Sequence, residues 1–333
     1  MSRSSAARQA QTTLYIGAIG ILSASLALAP STSLAQANDR PVRLVIPYPT
    51  GGGTDITARA IAARLTEALQ QPVIIENRPG ATGMVGAAYV ARSSPDGQTV
   101  LFGAASEMAI NTSLYRKMAY DPRTDFEPVS LIAVFPLVLV SHPATRPTLA
   151  KFLATARSNP GTITYGSIGA GSPQHLAGEL LSAMGKVSLV HVPYKGSGPL
   201  VQDAIGGHVH VAISSVPPAV PLVASGRLQA LAVTSSRRAT ALPDAQTVAE
   251  LGFPGFDFST WVASALPKGA PAAMVARFNK AFVSALAFPE VQSTLLKQGA
   301  EPVGSTPEQL RDFIRAQIER SDLIVSRSGL RLD

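Results

Sequence analysis

PYPTGGGTDITAR, residues 47–59, is the stretch on which the reading of this chain turns. Gly51, Gly52 and Gly53 follow a short β-rich run, PVRLVI (41–46). They precede a segment whose apolar residues Ile56, Ala60, Ala63 and Leu69 recur at near-helical spacing. A glycine turn between a strand and a helix places backbone N–H groups where an anion can be received. The turn is not a phosphate-binding P-loop, because Thr54 and Asp55 stand where that motif needs Lys followed by Ser or Thr. It is not a dinucleotide fingerprint either, because the third spaced glycine is missing. A carboxylate in the first helical turn suits its own helix but repels a highly charged phosphate.

The same grammar continues on both sides of this turn. A second strand is expected at 73–75, a loop at 76–83, a helix at 84–92, a turn at 95–97 and a strand at 99–103. Strand and helix alternate again from the middle of the chain. Strands are expected at 136–141, 163–166, 189–192, 209–214 and 228–234, and helices at 148–159, 174–184, 199–206 and 217–225. The tail reads as three helices, 272–287, 289–298 and 307–328, with Ser305 or Thr306 capping the last. The expected fold is α/β: two doubly wound lobes with a hinge and a cleft between them. The tail is too poor in strands to form a lobe, so it is expected to return to the first one. The expected division is 38–138 plus 258–333 for lobe 1 and 139–257 for lobe 2. The chain then crosses between lobes near 134–140 and near 256–266.

The first 37 residues read as a signal peptide. Arg3 and Arg8 precede a mostly apolar run at 14–28, and Ala35-Gln36-Ala37 ends in the small-residue pattern of a cleavage site. Cleavage after Ala37 leaves 296 of the 333 residues, with 26 basic against 21 acidic, or +5. The chain has no cysteine, which removes disulfides, thiol catalysis and cysteine-ligated metal sites. The longest later apolar run, 129–140, is interrupted by Ser130 and Pro136 and is too short to span a bilayer. The basic residues are scattered, with only the pairs Arg116-Lys117 and Arg237-Arg238 adjacent, which gives no nucleic-acid footprint. The expected setting is the periplasm.

Residues for hydrolysis, metal binding and acid–base catalysis occur, but each lacks the rest of its constellation. Gly166-Ser167-Ile168-Gly169 follows a strand but is preceded by Tyr165 and separated from the next helix, unlike a nucleophile elbow. His175 is its nearest histidine in sequence, which keeps a Ser167/His175 hydrolase as a lesser alternative. His208 and His210 share a face but lack a third ligand, and His142 and His191 read as packing or surface residues. Glu107 has no near carboxylate partner for general acid–base work. No catalytic residue, metal or cofactor is expected. What remains is four small-polar loops at strand C-terminal ends: 48–55, 103–111 with Ser106, 167–175 and 194–197. In parallel sheets such ends converge on the ligand crevice. Helix N–H groups and hydroxyls without a charged clamp suit a small carboxylate.

At this point the residues resemble a family, over essentially the whole chain after residue 37. PYPTGGGTDITAR, VIIENRPGATGMVGA, SSPDGQTV, ITYGSIGAGSPQHLAGELL and HVPYKGSGPLVQDAIGGHV are similar to blocks of the Bug-type extracytoplasmic solute receptors. These are the substrate-binding proteins of tripartite tricarboxylate transporters. The resemblance implies a type II periplasmic binding protein fold that closes on a small carboxylate or amide. It implies delivery to membrane permease subunits and action as a monomer. A membrane kinase in place of the permease is the alternative partner. The ligand carboxylate is implied to meet Tyr48, Gly52, Gly53, Thr54 and Asp55 in one lobe, partly through bridging waters. In the other it is implied to meet Ser167, Gly169, Ser172 and His175, with Tyr194, Lys195 and Gly196 nearby. Two positions depart from the family pattern. Ser214 and Ser215 replace a more polar pair, and Ala170 stands where many relatives have Asn. Both lie where the variable end of the ligand is implied to sit, which favours a monocarboxylate or an apolar-ended acid.

Overall fold

The structure is a computed structural model that describes residues 40–145 and 148–328. The expected signal peptide therefore lies outside the described residues. Among the described residues, ten strands form two sheets that share one long strand. In chain order they are β1 (Val42–Ile46), β2 (Val73–Asn77), β3 (Thr99–Ala104), β4 (Phe126–Ser141), β5 (Thr164–Ser167), β6 (Val190–Pro193), β7 (Val211–Ser215), β8 (Gln229–Val233), β9 (Ser259–Pro267) and β10 (Glu301–Pro302). The helices are α1 (Gly53–Leu69), α2 (Met84–Ala91), α3 (Asn111–Leu114), α4 (Leu149–Ser158), α5 (Pro173–Gly185), α6 (Ser197–Gly206), α7 (Val216–Ala224), α8 (Ala272–Ala287), α9 (Pro289–Lys297) and α10 (Pro307–Ser328). A wider π-type turn, Ser106–Ile110, leads into α3.

The first sheet runs β2-β1-β3-β9-β4 and the second β4-β7-β5-β6, with β8 also on β4 and β10 pairing β4 in the first. β1 pairs in parallel with β2 and β3, and β5 with β6 and β7. The parallel pairs need helical crossovers, which α1, α2, α5 and α6 supply. Side chains on each central strand alternate between two cores, as the two-residue period requires. On β1, Val42, Leu44 and Ile46 join α1, α8 and α9, while Val45 faces the opposite core. On β4, Val138 and Val140 face one core of the second sheet, and Leu137 and Leu139 the other. Burial on both faces explains why these strands read as continuous apolar runs.

β4 is the main departure from the sequence expectation. Only residues 136–141 read as a strand, yet β4 extends sixteen residues and passes from one sheet to the other without a break. Pro136 opposite Ser259 is its last pair with β9, and Leu137 opposite Ser215 is its first with β7. The sequence expectation also left β9 out, placing only a crossing at 256–266. Prolines 128 and 136 obscured the run, but strands tolerate proline at bulges, and the β4–β9 register shifts between Pro128 and Ser130. Thr234 fastens the return crossing: its hydroxyl bonds Leu137 O and Phe258 O, and it donates its N–H to Leu137 O. The tail helices α8 and α9 pack on α1 and the first sheet. α10 also reaches α5, so the tail touches elements of both sheets.

Candidate functional site

Four helices begin at one cleft. Their first residues or caps line it: Gly52, Gly53 and Thr54 of α1, Pro173 and Gln174 of α5, Gly196 and Ser197 of α6, and Ser215 before α7. Tyr48, Pro49, Ala104, Phe135, Ile168 and Thr260 complete the wall, around about 450 Å³ of space, mouth included. The first four N–H groups of any helix lack an intrahelical partner. α1, α6 and α7 have no side-chain cap, so those groups stay available to a guest. Prolines remove surplus donors, Pro199 from α6 and Pro217 and Pro218 from α7, leaving few and defined N–H groups. No lining side chain carries a charge. A helix N-terminus stabilises a nearby anion by about 0.3–1 kcal/mol, and by up to about 2 when partly buried.

The glycine turn is shaped by close approach. A Cβ on Gly53 would lie 2.9 Å from Ser215 Oγ and 3.2 Å from the Phe135 ring. Position 53 is therefore where α1 meets the start of α7, and only a hydrogen fits between them. Gly51, at φ +80°, makes the turn itself. Asp55 orders the turn rather than facing the cleft. Its Oδ2 accepts from Gly51 N and Arg59 Nε, both at 2.9 Å, and its Oδ1 accepts from Asn77 Nδ2 at 3.0 Å. Burial opposes its ionisation, but the hydrogen bonds from Arg59, Gly51 and Asn77 outweigh it and hold the carboxyl below its usual range. Asn77 Nδ2 also donates to Tyr48 O at 3.0 Å, tying the turn to β2.

Of the residues expected at the site, Tyr48, Gly52, Gly53, Thr54, Gly196 and Ser215 line the cleft. Ser167, Gly169, Ser172 and His175 instead brace the β5–α5 loop behind Ile168 and Gln174. Ser172 caps α5 by accepting from His175 N at 3.2 Å, and its hydroxyl donates to Gly169 O at 2.7 Å. Ser167 Oγ donates to the same carbonyl at 3.0 Å and lies 2.7 Å from His191 Nε2. His175 Nδ1 accepts from Gly171 N at 3.0 Å, and its ring stacks on His191 with centroids 3.8 Å apart. Burial pushes both imidazoles down to about 4, with His175 adding to the effect on His191, so both are neutral at pH 7. Ser167 is fully buried, and its histidine partner is His191 rather than His175. The pairing assumed in the hydrolase alternative is therefore not the one the fold makes. Tyr194 packs on Gly166, Lys195 is exposed, Ser214 bonds the Ser215 carbonyl from a buried position, and Ser106 is buried beside the Tyr48 hydroxyl.

Three features escaped the sequence reading. Gln174 is 3 % exposed, and its Oε1 is buried with no hydrogen-bond partner. It lies within the expected loop 167–175 and begins the expected helix 174–184, but only its neighbours Ser172 and His175 are named as expected site residues. Glu107 is fully buried under the wall; its Oε2 accepts from the Tyr48 hydroxyl and its Oε1 from Ala104 N, both at 2.6 Å. Burial pushes this carboxyl up to about 7, against the lowering pull of those two bonds. Finally, Thr82 Oγ1 donates to Ala170 O at 2.9 Å, joining the loop after β2 to the loop after β5. Ala81 and Thr82 hold left-handed backbone, φ +46° and +49°, which is costly for a β-branched residue.

Known proteins share this fold. The family model for the tripartite tricarboxylate transporter family receptor matches residues 57–330. Protein BugT of Bordetella pertussis is 37% identical over 322 residues, which cover 96% of this chain and 99% of BugT. A solved R. palustris protein with adipate superposes with a TM-score of 0.85 at 37% identity, covering 88% of this chain and 99% of that one. The periplasmic binding protein BugD superposes with a TM-score of 0.84 at 31% identity, covering 88% of this chain and 99% of its own. The fold is therefore the two-lobed α/β fold of these binding proteins. On the match across residues 57–330 and the whole-length similarity to BugT, the chain belongs to the Bug-type receptors of the tripartite tricarboxylate transporter family.

Proposed function

We propose that this chain is a periplasmic receptor that captures one small carboxylate in the cleft and hands it to the membrane permease subunits of a tripartite tricarboxylate transporter. The observation that carries the reading is the convergence of four helix N-termini, three of them without side-chain caps, on a cleft without charged side chains. Backbone donors and partial dipole charge stabilise a carboxylate there without a permanent ion pair, which keeps release feasible. Residues 38–138 with 258–333 form one lobe and residues 139–257 the other. β4 at Pro136 and Leu137 and the crossing fastened by Thr234 act as the hinge. Export follows cleavage after Ala37, and the receptor works as a monomer. Adipate bound to the R. palustris relative supports an acid of this size class as ligand.

Thermal shift with a panel of mono-, di- and tricarboxylates, amino acids and their amides tests the reading. A ligand at a hundred times its Kd adds about 2.7 kcal/mol to folding stability. A rise in Tm of several degrees for one acid and none for its amide is the expected result. A panel without any shift overturns the reading.

A further inference from the structure

Tyr48 and Ala104 both line the cleft, and both also hold the carboxyl of Glu107 directly beneath it. The two bonds differ in what protonation does to them. Ala104 N can only donate, so Glu107 Oε1 must accept whatever the charge state. Oε2 faces a phenol, which can donate or accept. With the carboxylate ionised, Tyr48 gives its only O–H to Glu107 and can offer the cleft nothing but lone pairs. With Oε2 protonated, Glu107 donates to the Tyr48 oxygen, and the Tyr48 O–H is released to point at a guest.

We infer that Glu107 is a positioning residue whose protonation reverses the Tyr48–Glu107 hydrogen bond, so that capture of a carboxylate is coupled to uptake of one proton. This rests on the receptor reading above. The proton enters from solvent and sits on Oε2; no bond other than O–H is made or broken. An ionised ligand carboxylate accepts hydrogen bonds only, so it favours the form in which Tyr48 donates.

The surroundings keep the choice open. The groups facing Glu107 are the Tyr48 hydroxyl from the loop after β1, Ala104 N from β3, and Tyr120, whose hydroxyl donates to the Glu107 carbonyl at 2.8 Å. Ser106 lies beside the Tyr48 hydroxyl. Gly83, before α2, presses so close that a Cβ there would lie 2.5 Å from Oε2. β9 pairs Val262 with Ala104, and α10 packs on this turn with apolar residues, Leu310 and Ile314 among them. Among the described residues Glu107 forms no ion pair; its hydrogen bonds from Tyr48 and Ala104 favour the anion, but burial outweighs them and pushes its carboxyl up to about 7.

The test is calorimetry of the tightest-binding acid from the carboxylate panel, adipate included, between pH 5.5 and 8.5, in two buffers of different ionisation enthalpy. For the wild-type protein, proton uptake on binding and a Kd that weakens towards tenfold per pH unit above pH 7 are expected. Glu107→Gln mimics the protonated acid, with its amide donating to Tyr48. It is expected to bind with the low-pH affinity at every pH and to take up no proton. Tyr48→Phe keeps Glu107 but cuts the relay and should also lose the slope. Circular dichroism confirms that each variant folds. Binding with a flat wild-type profile, or a slope that persists in Glu107→Gln, overturns this inference and leaves the receptor reading intact. No binding by any acid at any pH overturns the receptor reading and this inference together.

Discussion

Thr82 donates its hydroxyl to the carbonyl oxygen of Ala170 at 2.9 Å, across 88 residues of sequence and from the loop after β2 to the loop after β5. The bond is made by a β-branched residue held at φ +49°. Backbone strain here is offset by joining the two loops. Thr82→Val keeps the shape and removes the donor, so affinity should fall by about 2- to 10-fold, the net worth of one hydrogen bond. Thr82→Ser keeps the donor without the branch and should bind at least as well. Calorimetry gives both affinities, and small-angle scattering should show a larger radius of gyration for the valine variant.

Gly52 and Gly53 look interchangeable in sequence and are not. A Cβ at Gly52 has its nearest neighbour, Ser197 Oγ, at 3.5 Å, which is ordinary contact. One at Gly53 meets Ser215 Oγ at 2.9 Å and the Phe135 ring at 3.2 Å. Gly52→Ala should therefore bind nearly normally. Gly53→Ala should lose at least tenfold in affinity, because α1 must back away from Ser215, the residue preceding α7. Neither should unfold the protein: Gly53 is the first helical residue, where alanine is favoured over glycine, and Gly52, the N-cap, has extended backbone that alanine can adopt.

Gln174 sets stability against function. A buried polar atom without a partner costs about 1–3 kcal/mol. Replacing it by an apolar residue of similar size, Gln174→Leu, should raise Tm of the free protein. The same change removes a polar group from the cleft wall and should weaken carboxylate binding. Paired denaturation and titration experiments should show the two effects with opposite signs.

The pH dependence of folding should carry opposing limbs. Glu107 titrates at about 7 in the fold, above its unfolded value of 4.5. Its contribution is thus fully present below 4.5 and is lost as pH rises through 7. His175 and His191 are depressed to about 4 from 6.5. Their contribution is present above 6.5 and lost as pH falls through 4. Relative to wild type, Glu107→Gln should gain stability across pH 4.5 to 7, by roughly 3 kcal/mol at 1.36 kcal/mol per pKa unit. Urea denaturation of both proteins at half-unit pH steps measures the difference.

The fold was largely legible because its signals are local. The glycine turn, the Ser172 cap with Pro173 behind it, and the alternation of short strands and helices all lie within a few residues of what they specify. β4 and β9 were not, because their identity comes from each other: nine paired residues override the prolines that locally argue against a strand. The site was legible in part for the same reason. Loop residues with free N–H groups announce themselves, so Gly52, Gly53 and Gly196 were found. Glu107 is not legible locally because its partner is a phenol 59 residues earlier and not a neighbouring carboxylate. Ser167 was matched to the nearest histidine in sequence. β5 and β6 pair Tyr165 with His191, which puts Ser167 two residues along on the same face as that ring.

Titration calorimetry of the refolded protein, freed of co-purified small molecules, with the panel acid and its neutral amide bears on the whole reading. Saturable one-to-one binding of the acid is expected, with no detectable binding of the amide and loss of binding in Gly53→Ala. Equal binding of acid and amide, or binding undiminished in Gly53→Ala, would contradict capture of a carboxylate by the helix termini of this cleft.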